Sequence, residues 1–359
     1  MHKPHGACRV CTQTRTPLWA KNKKQKGEIN VKKIISIALA LLMVAVMLPV
    51  MAMAADNVAK IGDMEYPTLK EAFDAVKDGE TIVLLKDCSG DGIVVQSGKN
   101  FTVDFNNCTY NIDGTTVGSP TTETNGFQLL KDSTITFKNG KLTSTKAKIL
   151  IQNYCNLTLE NMELDGRTLI PSNPSYTLSN NNGSLTVKGN SKIIAAEGQC
   201  AFDVYYWPNN GYTGGIKVTF DESFTGEVVG TIEYGTDGTP GSADWADKAV
   251  LTIKGNGTFT GNFRIYNLTT DAAKANITIN GGTFTDKESG AEKYLAPNKM
   301  LDASGNVVNK PIIIYTPTED TPKANDQKNP GTGANDFVGV AAAMAVVSLL
   351  GAAAVIRKK

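Results

Sequence analysis

The stretch Thr134-Ile135-Thr136-Phe137-Lys138-Asn139-Gly140-Lys141-Leu142-Thr143-Ser144 holds the phrase on which the fold turns. An apolar-Thr-apolar triplet is followed by the turn pair Asn139-Gly140 and then by a further apolar residue, Leu142. The triplet recurs as Phe101-Thr102-Val103, Leu157-Thr158-Leu159, Leu185-Thr186-Val187, Val218-Thr219-Phe220, Leu251-Thr252-Ile253 and Ile277-Thr278-Ile279. Its threonines are 34, 22, 28, 33, 33 and 26 residues apart. Five to eight positions beyond each Thr stands another apolar residue: Tyr110, Leu142, Leu164, Ile193, Phe224, Phe259 or Phe284. In six of the seven copies Asn or Gly lies between, residues that tolerate the positive φ of a sharp turn.

Period-2 alternation in short runs predicts strands, and repetition at 20 to 50 residues predicts a solenoid. A coil of three short strands needs about 22 residues, the shortest interval found, and longer intervals become coils with inserted loops. The expected fold is therefore all-β, a right-handed parallel β-helix over residues 81–315. The triplet's apolar members point inward, and Thr stacks on Thr outside. Helical repeats would need a 3.6 period, and immunoglobulin-like arrays would repeat near roughly 100 residues. Aligning Val83–Cys88 with Val103–Cys108 at an offset of 20 places Cys88 and Cys108 in one column. There they form either a disulfide or two small buried thiols.

A solenoid needs covered ends. In residues 55–80, Leu69, Ala72, Phe73 and Val76 lie at helical spacing, with Pro67 before them and Gly79 after. This predicts a capping helix over 67–77. The stretch from Val58 to Asp87, VAKIGDMEYPTLKEAFDAVKDGETIVLLKD, resembles the N-terminal cap of pectin-lyase-like β-helix domains on surface proteins of gut Firmicutes.

Both ends of the chain carry processing signals. Residues 31–54 have the positive start Lys32-Lys33, an apolar run and the small-residue cleavage site Ala52-Met53-Ala54. Export by signal peptidase is expected, with Ala55 the first mature residue. Residues 1–30 precede this signal. Lys26-Gly27-Glu28 can be encoded by a purine-rich ribosome-binding sequence two codons before Val31, so the segment reads as an upstream extension outside the translated protein. His2, His5, Cys8 and Cys11 in it are then no zinc site. At the other end, residues 337–356 form an uncharged run long enough to span a bilayer, followed by the basic tail 357–359.

Ahead of that transmembrane run, after the polar linker 316–328, stands Asn329-Pro330-Gly331-Thr332-Gly333. Pentapeptide, span and basic tail in this order resemble the cell-wall sorting signals of Gram-positive surface proteins, usually LPxTG. The resemblance implies sortase attack at the carbonyl of Thr332 and covalent attachment to peptidoglycan. Asn329 departs from the usual Leu, which leaves open which sortase acts. A plain membrane anchor is the alternative, and both readings give an extracellular location.

The whole chain of 359 residues carries 36 Lys+Arg against 35 Asp+Glu. Residues 1–54 hold 9 and 1 of these and residues 333–359 hold 3 and 1, so the span 55–332 keeps 24 and 33, a net charge of −9. That span contains no histidine, which excludes histidine bases and ligands. An acidic rod suits neither nucleic acid nor anionic membrane. No cofactor, metal site or catalytic residue is expected. Asp165-Gly166-Arg167 is the most catalytic-looking group, with Asp104 and Asp113 as further acids, but Asp-Gly is also an ordinary turn. The aromatic cluster Tyr205, Tyr206, Trp207 and Tyr212 reads either as a glycan-stacking surface or as rings covering the core, and Trp245 sits in an inserted loop, 235–248. The function expected is a surface structural or adhesive rod for glycan or host contact. The alternative is a polysaccharide lyase or glycoside hydrolase on the same fold.

Overall fold

The computed structural model describes residues 56–119, 123–172, 174–206, 216–236, 248–265 and 275–312. The signal segment with Ala52, Ala54 and Ala55, the linker, the Asn329–Gly333 motif, the span 337–356 and the basic tail lie outside the described residues, as do Trp207, Tyr212 and Trp245. Among the described residues no helix is long and apolar enough to cross a membrane. The chain divides after Lys310, and the fold below is that of the first unit.

All seven triplet threonines fall in one ladder. Thr102 pairs with Thr136 and Thr136 with Thr158, and the register continues through Thr186, Thr219 and Thr252 to Thr278. Thr81 adds an eighth rung beside Thr102. It escapes the triplet pattern because Glu80 precedes it. The residues flanking the seven triplet threonines are no more than 7% exposed, whereas all eight threonines stay partly exposed. Fully burying such an aliphatic or aromatic side chain is worth about 1.5–3 kcal/mol, so alternation decides which way each strand faces.

The second apolar column runs Tyr110, Leu142, Leu164, Ile193, Val228, Phe259, Phe284, each paired with the next. Val228, not Phe224, holds the fifth place. Phe224 lies in the preceding turn, fully buried, with its ring 4.8 Å from Phe220 and 5.8 Å from Phe259. Bends between the two columns use left-handed backbone at Asn139, Asn161 and Gly189. In Thr134–Ser144 and Asn156–Gly166 the bend is gentle enough for one strand to carry both columns.

A third set of strands forms a separate seven-stranded sheet, whose inward column runs Ile93, Phe127, Ile151, Leu178, Phe202, Ile232, Phe263. Three strand columns wound in turn make a mostly β, solenoid-like body of parallel strands. Phe202, Phe220, Phe259 and Phe284 continue the core across coils at centroid distances of 5.0–5.4 Å.

The expected offset of 20 at the cysteines is corrected to 21 at Ile82 and Val103 and 22 at Cys88, which pairs with Tyr110. The second coil spends one residue more at its corner, where Asn106 and Asn107 both take positive φ. Cys88 therefore heads the second column, Cys108 falls outside it, and both thiols are free. Burial, followed by the nearby Cys108 and Asp87, pushes the Cys88 thiol up to about 11.

The N-terminal helix is shorter than its sequence pattern, Leu69–Ala75. Thr68 caps it, its hydroxyl oxygen accepting from the Glu71 N–H at 3.1 Å and its hydroxyl donating to Glu71 Oε1 at 3.1 Å. Phe73 plugs the open coil, its ring 5.5 Å from Phe101 and 5.7 Å from Phe127. A hairpin not evident in the sequence, Ala59–Ile61 with Met64–Tyr66, lies antiparallel along the first rung. The parallel ladders end at Phe284. Beyond it a 3₁₀ turn, Ala291–Tyr294, and the hairpin Lys299–Leu301 with Val307–Asn309 cover the last coil. Each of the three terminal edges is met there: Ala296 N–H donates to Ile279, Val307 N–H to Gly282, and Phe263 N–H to Ser289.

Charges along the rungs alternate in sign. Asp104, Lys138, Glu160 and Lys188 are successive partners, and Lys188 next meets Asp221 at 4.0 Å. Lys141, Glu163, Lys192 and Glu227 form a second such ladder. Opposite charges directly across strands contribute roughly 0.2–1 kcal/mol each and like charges cost a similar amount. Lys138→Glu, which sets three acids in a row, is expected to destabilise the fold by about 1 kcal/mol, while Lys146→Glu, exposed and off the ladders, leaves stability unchanged. Thermal melts at low and high salt check this, since screening should remove most of the Lys138→Glu deficit.

Candidate functional site

The seven-stranded sheet carries a second triplet series. Ile93-Val94-Val95, Phe127-Gln128-Leu129, Ile151-Gln152-Asn153, Leu178-Ser179-Asn180, Phe202-Asp203-Val204, Ile232-Glu233-Tyr234 and Phe263-Arg264-Ile265 stack rung upon rung. The flanking residues of each face the core. The middle residues therefore share the opposite face and form one column: Val94, Gln128, Gln152, Ser179, Asp203, Glu233, Arg264. At Asp203 and Glu233 two acids stand on neighbouring rungs. The register also shifts just before them, the strand Cys200–Tyr206 carrying one residue more than its partner between Cys200 and Phe202. Such bulges re-aim side chains and recur beside functional sites.

Both acids are buried, Asp203 3% and Glu233 1% exposed. Asp203 accepts from the backbone N–H of Asn180 and, at 3.3 Å, from the Ser179 hydroxyl. Glu233 accepts the Tyr176 hydroxyl at 2.6 Å and pairs with Arg264, whose Nη2 also donates to Cys200 Sγ at 3.0 Å. Burial, and then the Glu233 charge, push the Asp203 carboxyl up to about 7 against the pull of its two donors. The Tyr176 phenol is driven well above its usual range by burial and by its bond to Glu233. Desolvation, followed by Glu233, raises the Cys200 thiol.

Of these groups Tyr176, Ser179, Asp203 and Glu233 line a cleft of about 310 Å³, together with Ile149, Gln152, Asn181 and Tyr205. Of the aromatic residues singled out in the sequence, Tyr205 lines the cleft and Tyr206, one position on, packs against the core. Alternation along one strand thus sends Tyr205 to the cleft and Tyr206 to the core. Among the described residues no group of three or more His, Cys, Asp or Glu is placed to hold a metal.

The other acids are elsewhere. Asp104 pairs with Lys138 before the bend, Asp165 lies after it beside Thr143 and Ile194, and Asp113 follows the end of its strand. Asp165 is tied up. Arg167 holds it with two bonds at 2.8 and 2.7 Å, and Lys141 lies 2.6 Å away. The Arg167 bond, then Lys141, hold the Asp165 carboxyl well below the usual range despite burial. Arg167 itself is 56% exposed, the solvated corner arginine of an Asp-Gly turn.

Asp203, Glu233, Tyr176 and Arg264 make one site that the sequence pattern does not single out. The repeating apolar-X-apolar phrase at Phe202-Asp203-Val204, Ile232-Glu233-Tyr234 and Phe263-Arg264-Ile265 was the available signal. It is masked because its middle residue changes chemistry at almost every rung.

Between the ordinary carboxyl range and about 7, the folded chain binds a proton at Asp203 that the unfolded chain has released. This group's contribution to stability therefore falls as pH rises through roughly 4 to 7, at most about 1.4 kcal/mol per pH unit. Asp203→Asn is expected to remove that slope. Melts of both proteins across the window check it, and parallel curves would contradict the assignment.

No protein-family model matches the chain, and no curated protein or solved structure resembles it closely enough to assign it to a family.

Proposed function

We propose that the chain is an exported surface protein of a Gram-positive cell, a right-handed parallel β-helix of pectin-lyase-like form that contacts glycans through its cleft. Signal peptidase releases it at Ala55, and the Asn329–Gly333 motif with the following span retains it at the wall or membrane. The observation that carries the glycan reading is the cleft itself: buried acids and amides on its floor, with Tyr176 and Tyr205 in its lining. Hydroxyl-rich sugars match such a site, because their rings lie against aromatic side chains while their hydroxyls satisfy buried polar groups.

A second reading, a carbohydrate-active enzyme, is favoured by Asp203 beside Glu233. A carboxyl that holds its proton to about pH 7 next to a second carboxyl is the pairing on which glycoside hydrolysis relies. One experiment separates the two. The full chain, in mild detergent, is incubated with a panel of plant and host polysaccharides and assayed for binding and for new reducing ends. Binding that falls at least about tenfold in Tyr205→Ala, without product, supports the display rod. Product that disappears in Glu233→Gln supports the enzyme. Neither binding nor product would remove the glycan reading.

Anchoring has its own test. In cells lacking sortase the protein is expected to leave the covalent wall fraction and remain with membrane. Persistence in the covalent fraction would refute sorting at Thr332.

A further inference from the structure

We propose that the cleft takes the free ammonium group of an amino sugar, with Asp203 and Asn181 as its principal partners. This rests on the glycan reading above and names the sugar.

The argument is an account of donors and acceptors. Donors on the cleft floor are largely committed within the protein. The Tyr176 hydroxyl goes to Glu233 at 2.6 Å, the Ser179 hydroxyl to Asp203 at 3.3 Å, and Gln152 Nε2 to the Ser179 carbonyl at 3.2 Å. Arg264 lies outside the cleft lining and gives its Nη2 to Glu233 and Cys200. Acceptors are left over. Asn181 Oδ1 is shielded from solvent and receives no hydrogen bond. Gln152 keeps its carbonyl oxygen, and each carboxyl has more lone pairs than donors. A buried acceptor without a donor costs about 1–3 kcal/mol, so the cleft favours a ligand rich in N–H or O–H and poor in acceptors. An ammonium, with three donors and no acceptor, meets that description most fully.

Charge leads to the same ligand. Arg264 is the cation of this column and it is spent on Glu233, which leaves Asp203 to balance an incoming positive charge. A cation beside Asp203 favours loss of the proton that burial now keeps on it. Tyr205 adds an aromatic wall, which suits a cation better than an anion. A uronate would bring a third carboxylate to two buried acids. An N-acetyl group would replace the charge with a neutral amide and add an acceptor where acceptors are already in surplus.

Calorimetric titration of the full chain, in mild detergent at pH 6.5, tests this with glucosamine oligomers, their N-acetylated counterparts, oligogalacturonate and a lysine-rich peptide. The glucosamine oligomer is expected to bind at least about tenfold tighter than the N-acetylated one, with no binding of the uronate. Asp203→Asn is expected to reduce that preference to within about twofold, and Asn181→Leu, at a partly exposed position, to weaken glucosamine binding while preserving the fold. N-acetylated or uronate oligomers binding as well as glucosamine would overturn the amino-sugar inference and leave the glycan reading standing. Binding of the lysine peptide alone, or of nothing, would overturn both.

Discussion

Every side chain in this solenoid stands one strand spacing, about 4.8 Å, from the residues above and below it in the same column. A column can therefore hold only chemistry that tolerates itself or its alternating complement. Threonine satisfies the first condition, since its branched side chain packs on a copy of itself at a half-exposed surface, and it occupies eight consecutive rungs. Aliphatic and aromatic residues satisfy it inside. Charges satisfy only the second, which explains why Asp104, Lys138, Glu160 and Lys188 alternate in sign. A single like-charge pair repeated along such a ladder would accumulate repulsion at every rung.

Asp203 and Glu233 break this rule at the place where breaking it costs most. On the exposed ladders water would screen two adjacent acids; here both are buried, and the protein answers by pairing Glu233 with Arg264 on the next rung and leaving a proton on Asp203. Ionisable groups whose surroundings perturb them in this way cluster at functional sites. The column thus passes from Gln128 and Gln152, which stack without charge, through Ser179 to the ionisable triad Asp203, Glu233 and Arg264, and the cleft opens over that transition. Its chemistry comes from three successive coils, none of which holds a site by itself.

The same spacing explains the ends. An uncovered rung offers a row of unpaired backbone groups to any passing strand. The first coil meets this with an antiparallel hairpin and with Phe73 of the capping helix, and the last with hydrogen bonds donated by Ala296 and Val307 and one accepted by Ser289. Cap and body are energetically one object, because Phe73 packs against Phe101, Phe127 and Phe137, side chains of the first coils themselves.

The sequence by itself determined the repeat, the register of the threonine ladder and the side of each triplet that is buried. These follow from period-2 alternation and from the large free energy of burying apolar side chains, both of which are local. It also placed a helix over 67–77 from its apolar spacing, of which Leu69–Ala75 is helical. Only the tertiary structure decided how many residues each corner consumes. The register is already 21 at Ile82 and Val103, and one further residue at Asn106-Asn107 leaves Cys108 two positions short of its place beside Cys88, while a bend before Glu227 gave Val228 the place expected of Phe224. The site is the clearest case. Asp203, Glu233 and Arg264 are about 30 residues apart, and although each is the middle of an apolar-X-apolar triplet, nothing local in the chain marks these three middles as one site. They become neighbours because parallel stacking converts one turn of chain into one strand spacing, and they become chemically unusual because burial, which no single coil can supply, removes the water that would otherwise separate their charges.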